Sequence, residues 1–318
     1  MRARGLVSIL GLGMVFAGVA AADTLWSIGR NDNSHGEFAI SGTYSDFLKM
    51  FPGDVVFRIG RDNPRKCWPY IHPGPADEWA GGRPHVFTVK FHLARAPKSA
   101  CRLMVYLNDT QTGSPPVLSV NVNGHECPAT QLRAGAGDAS LTDPKAGRPV
   151  TSPFVFSGSW LRSGANTVSL SVTGGSWLLY DALTLESGLP NTPQVEHIAA
   201  TCTPMFKKVG AALEQAVRVE INNTGVEGKG QLRIANLAGS EQDVDLRQGP
   251  QVHFLLTPPF DREEKRSVEL IVGGKTVSAT FDARPEKQYK LFAAASTHTD
   301  IGYTDLQEKC MELHVNNA

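Results

Sequence analysis

The sequence predicts a mostly β protein built as a larger jelly roll, a smaller β-sandwich and, at the end, the first βα unit of an α/β domain. Three observations carry that reading. Short segments with a hydrophobic period of two recur along most of the chain, separated by turn residues, with no helical pattern between them. Glycine (31) and proline (20) punctuate those segments at close intervals. Only the last stretch changes period, from an apolar run at 291–295 to Leu306, Cys310 and Leu313 at helical spacing.

The chain opens with Arg2 and Arg4, an apolar stretch at 6–19, and Ala20-Ala21-Ala22 before Asp23. That three-part layout is a secretory signal with an A-x-A cleavage site. A transmembrane anchor is disfavoured because the stretch is short and rich in glycine. The mature chain is expected to start near Asp23 and to be secreted or periplasmic. Lys plus Arg balances Asp plus Glu at 31 each, with no basic run, which argues against nucleic acid or an anionic membrane as partner.

The first domain is expected over residues 23–187. Phe87, Val89, Phe91 and Leu93 alternate with polar residues, as do Leu103, Val105 and Leu107, then Leu118, Val120 and Val122, then Val168, Leu170 and Val172. Asn123-Gly124 is a two-residue hairpin signal, and 177–185 reads as a denser apolar strand. Strands of this kind without intervening helices imply an antiparallel sandwich or jelly roll. Cys67, Cys101 and Cys127 fall in this domain, and export permits one disulfide among them, with no pair preferred. The loop at 61–82 places Trp68, Tyr70 and Trp79 beside Arg65, Asp77 and Glu78. Those aromatics are candidates for stacking on a sugar, since loops at the end of a sandwich carry binding residues. The competing reading folds Trp68 and Trp79 back as caps of the sandwich. Trp26, Trp160, Trp177 and Tyr180 are expected in the core, with Asp181 pairing with Arg30 or a backbone amide. Asn108-Asp109-Thr110 and Asn222-Asn223-Thr224 are formal glycosylation sequons.

Four strings of this domain occur together in order: Leu25-Trp26-Ser27-Ile28-Gly29-Arg30-Asn31-Asp32, Val122-Asn123-Gly124, Leu161-Arg162-Ser163-Gly164-Ala165-Asn166 and Tyr180-Asp181-Ala182-Leu183-Thr184-Leu185. They resemble the jelly-roll module called domain III in polysaccharide lyase family 4, the rhamnogalacturonan lyases, a module similar to carbohydrate-binding modules of the galactose-binding type. The resemblance implies a galactose-binding-like jelly roll with carbohydrate as partner. It does not imply lyase activity, because the lyase catalytic domain is not part of the match.

Residues 188–193, Gly-Leu-Pro-Asn-Thr-Pro, read as a linker. Beyond it, strand candidates at 216–221, 231–236, 251–256, 267–272 and 275–281 fill a second domain over 194–284, with Gly273-Gly274 closing a hairpin. That pattern suggests an immunoglobulin-like sandwich without the inter-sheet disulfide, since Cys202 has no partner there. His253 reads as a core or edge histidine, and the domain as a spacer.

The closing unit, 285–318, carries Leu-Phe-Ala-Ala-Ala-Ser-Thr-His-Thr-Asp-Ile-Gly-Tyr-Thr at 291–304. His298 and Asp300, two apart at a strand's end, point the same way, and both residue types ligate zinc. Thr304 and Gln307 then form a capping box. The string His298-Thr299-Asp300-Ile301-Gly302-Tyr303 resembles the first-strand motif of glycoside hydrolase family 38, the zinc-dependent retaining α-mannosidases. The resemblance implies that His298 and Asp300 are two zinc ligands. It implies that Tyr303 packs against the sugar, where that family usually has Trp. The chain is therefore expected to be the front of an exported glycosidase, interrupted just past the first piece of a truncated catalytic domain. With two of the three protein ligands a catalytic zinc needs, the chain alone is expected to be inert. The alternatives are a stand-alone secreted carbohydrate-binding protein, related to the lyase module but not catalytic, and a purely structural pair of sandwiches.

Overall fold

The computed structural model describes residues 22–288 and the further positions 306, 308, 309, 311, 312 and 315. The expected signal segment, the zinc-ligand pair His298 and Asp300, and Tyr303 lie outside the described residues.

The first unit contains β1 (Asp23–Gly29), β2 (Val55–Arg58), β3 (Ile71–His72), β4 (Val86–Leu93), β5 (Ala100–Thr110), β6 (Val117–Val122), β7 (His125–Glu126), β8 (Thr130–Gln131), β9 (Val150–Phe156), β10 (Gly164–Gly174) and β11 (Leu178–Leu189). One sheet runs β1-β11-β5-β9, with β3 also on β11. The other runs β2-β4-β10-β6-β7, with β8 also on β6. Every pairing is antiparallel except β2 with β4. The alternation read from sequence is the burial pattern observed: Phe87, Val89, Phe91 and Leu93 face inward from β4, and Leu118, Val120 and Val122 from β6. Asn123 (φ 51°) and Gly124 (φ 93°) take the left-handed backbone of the tight turn between Val122 and His125. β9 contains Pro153 and is an edge strand, where a missing N–H costs no ladder bond.

The second unit contains β12 (Ile198–Val209), β13 (Ala212–Asn223), β14 (Gly228–Ile234), β15 (Gln242–Leu246), β16 (Gly249–Thr257), β17 (Glu264–Val272) and β18 (Lys275–Ala283). Its sheets are β12-β13-β16 and β15-β14-β17-β18, all antiparallel. Val217, Val219 and Ile221 of β13 share a separate core with Leu232 and Ile234 of β14 and Val268, Leu270 and Val272 of β17. The Gly273-Gly274 turn has both residues at positive φ and joins Val272 to Lys275.

β11 runs through Leu189, two residues into the stretch read as a linker. The residue just after the linker is tied to the second unit: the Gln194 amide donates to Asn223 Oδ1 at 2.9 Å, and Thr224 N donates to Gln194 O at 2.9 Å. A bridge between the units is made by Gln248, whose Nε2 donates to Val155 O at 3.1 Å.

Cys67, Cys101, Cys127 and Cys202 are all free thiols, so the disulfide that export would permit is not formed. Cys101 lies on β5 of one sheet and Cys127 just beyond β7 of the other, and burial pushes each thiol up to about 12. Asn108 is fully buried and donates to Asn33 O and Pro144 O, which leaves its sequon no room for a glycan.

Candidate functional site

The aromatic loop expected to meet a sugar is part of the core. Asn63 Oδ1 caps a four-residue helix, α1 (Pro64–Cys67), by accepting from Arg65 N at 3.0 Å, and the turn sends Trp68 inward. Trp68 is 0% exposed and meets Phe57, Phe87 and Tyr180 edge to face, with centroids at 6.0, 5.3 and 5.3 Å. Tyr70, equally buried, donates its hydroxyl to Leu141 O at 2.7 Å, and its backbone carbonyl accepts from Tyr180 N. The sequence-derived assignment of Trp68 and Tyr70 to sugar stacking is corrected by this burial. β3 stitches the loop onto β11, and neither ring keeps a free face. Trp79 is half-buried, edge-on to Tyr44 at 5.2 Å, with its Nε1 donating to Asp77 Oδ1 at 3.2 Å.

The same loop buries a polar group that sequence reading missed. His72 Nε2 donates to His85 O at 2.9 Å, so its Nδ1 accepts from the Tyr180 hydroxyl at 2.8 Å. The imidazole stacks on Phe87 at 3.7 Å, and burial lowers its pKa to about 3. His85 donates Nε2 to Ala80 O at 2.9 Å, while its buried Nδ1 has no hydrogen-bond partner. Asp77 accepts from Gly74 N, Trp79 Nε1 and Ser176 Oγ, and burial raises its carboxyl pKa against the pull of those donors. Asp181 accepts from the backbone amides of Asp32 and Ser34 at 3.2 and 3.1 Å. Each of these groups is spent on holding loops to sheets. Among the described residues there is no cluster of three or more His, Cys, Asp or Glu able to hold a metal ion.

An accessible aromatic lies elsewhere. Trp160, expected in the core, is half-buried at the end of a turn that starts at Ser157, whose Oγ accepts from Ser159 N at 3.3 Å. Its indole lies nearly parallel to His125 (5.0 Å, 13°) and to Phe156 (5.6 Å, 12°). Trp160 lines a crevice of about 310 Å³ between the two units, with Glu126 and Ser157 on its own side and Asn191, Glu227 and Gln248 on the other. A second crevice of about 400 Å³ shares Pro128, Val155 and Gln248 with the first and is lined further along by Gln131, Asn222 and Thr224. These volumes are in the range of small-molecule sites. The lining residues run from 126 to 250, so no local pattern in the sequence could have grouped them.

Residues 24–185 match the family described as CBM-like: Polysaccharide lyase family 4, domain III. No curated protein matches the chain. Similar solved structures include a β-D-mannosidase from Dictyoglomus thermophilum, 11% identical, with 65% of this chain and 30% of that chain covered at a TM-score of 0.24. They also include β-glucuronidase 2 of Bacteroides uniformis (10% identical, 64% and 26% covered, TM-score 0.23) and a β-glucuronidase of an uncultured Clostridium sp. (10% identical, 83% and 44% covered, TM-score 0.25). The chain spans less than half the length of each, and at such TM-scores the likeness carries no argument. The family match takes in more than half of the 318 residues, and the chain belongs to the CBM-like family of polysaccharide lyase family 4 domain III.

Proposed function

We propose that this chain is the carbohydrate-binding accessory region of an exported, zinc-dependent glycosidase of the α-mannosidase type. The observation that carries the carbohydrate reading is the CBM-like family membership over residues 24–185. The glycosidase part rests on the H-x-D-x-G pattern at His298, Asp300 and Gly302 followed by Tyr303, and the export part on the layout of residues 1–22. In this reading the first sandwich engages the glycan and the second sets its distance from the chemistry. His298 and Asp300 would supply an imidazole and a carboxylate to zinc, which when bound orients sugar hydroxyls and stabilises developing charge. Tyr303 would offer its ring to the sugar beside them.

Calorimetric titration of the purified chain against a panel of plant and host oligosaccharides tests the carbohydrate reading. Saturable binding to at least one of them is the expected result. A flat response to every saccharide would overturn the proposal.

A further inference from the structure

The crevice at Trp160 has a composition that selects among sugars. Trp160 supplies a half-buried indole, and no described group bonds its Nε1. Asn191 and Glu227, both exposed, make no side-chain hydrogen bonds within the described residues, so their amide and carboxylate remain available to hydroxyls. Gln248, whose Nε2 is held by Val155 O and Gly225 O, stands between this crevice and its neighbour, where Asn222 adds an exposed amide and the Thr224 hydroxyl already donates to Gln194 O. An indole beside the uncommitted side chains of Asn191 and Glu227 offers what a pyranose uses, an apolar contact for its C–H groups and polar partners at its rim. Glu126 and Glu227 are the charged side chains lining either crevice, and no Lys or Arg joins them. A carboxylated sugar placed there would meet two carboxylates with no cation to offset them, and like-charge contacts of this kind exclude a ligand.

We propose that the seam between the two sandwiches is an oligosaccharide-binding groove that takes neutral sugars and rejects uronates, with the half-buried Trp160 indole, stacked on His125 and Phe156, as its apolar wall and Glu227 as its charge filter. This rests on the carbohydrate reading above and adds where the glycan sits and which class it belongs to. It also makes the second sandwich half of the binding site, beyond its role as a spacer.

The test titrates the full chain with neutral tetrasaccharides of mannose, glucose and galactose and with tetragalacturonate. Neutral binding should weaken about tenfold in Trp160→Ala, as expected for loss of an aromatic contact. It should be unchanged in Trp79→Ala. Glu227→Gln, at an exposed position, should raise the response to tetragalacturonate several-fold relative to its response to the neutral probes. Preference of the unaltered chain for tetragalacturonate would overturn the inference. So would neutral binding that is unchanged in Trp160→Ala, although the carbohydrate reading would then stand. Absence of binding to all four probes and to the wider panel would remove both.

Discussion

The two sandwiches reach the same fold class with different interiors. The first fills its core with rings: Trp68, Tyr70, Phe47, Phe87 and Tyr180 are all fully buried, and His72 lies stacked among them. The second is aliphatic, with Phe260 and Phe281 as its aromatic pair. Its β12–β13 hairpin also extends past the core, leaving Met205, Val209 and Leu213 47%, 43% and 37% exposed. Several of the first unit's rings have polar handles that are met inside, Tyr180 by His72, Tyr70 by Leu141 and Trp79 by Asp77, while the Trp26 and Trp68 indole N–H groups are left unpaired among the described residues. That makes its stability depend on groups that titrate. The second unit has little of this, so the pair should separate under acid.

The largest expected effect follows from His72. Its folded pKa lies near 3 against an ordinary 6.5, so the unfolded chain binds a proton first as pH falls. Its contribution is intact above pH 6.5 and drains away toward pH 3, by about 4–5 kcal/mol in total. His35 and His85 are shifted downward by burial and act in the same direction. In the second unit His253 is lowered, with its ring half-buried on the edge strand. All five tryptophans belong to the first unit, so indole fluorescence reports mainly that unit while far-ultraviolet circular dichroism reports both. The fluorescence transition should come at higher pH than the remaining dichroism change. Coincident acid transitions would erase the contrast.

Trp68→Ala comes next. Removing a fully buried indole from three edge-to-face contacts should cost about 3–5 kcal/mol. Thermal unfolding followed by fluorescence should shift downward while the transition of the second unit stays in place. The smallest effect sharpens the comparison from the other side. Lys265 and Asp282 pair at 2.8 Å across β17 and β18 with side chains 77% and 79% exposed. Lys265→Ala should change stability by less than about 0.5 kcal/mol in denaturant titration.

Central strands and tight turns were legible in the sequence, as were the edge strands β16 and β18, but the edge strands β9 and β12 were not. The alternation at Val168, Leu170 and Val172 marks β10, which has neighbours on both sides. β12 and β9 went unread because Pro204 and Pro153 break the strand signal, and both are edge strands that tolerate proline. Asn123-Gly124 announced its turn because few other residues adopt that backbone without strain. The site was far less legible. The prolines around Trp68 and Tyr70 look like an exposed loop, yet two residues of pairing between β3 and β11 draw the rings inside. Trp160 looked like core, and it packs against the core with one side while lining a crevice with the other.

By itself the sequence determined the two-module β architecture and its domain III family, because hydrophobic period and turn chemistry act over a few neighbouring residues. Which aromatics are buried, whether the cysteines pair, and which side chains meet at the seam between the sandwiches were decided by the tertiary structure. Burial and proximity between residues such as Trp160 and Glu227 arise only when separate sheets and the connection between them come together, and no local window of sequence contains that information.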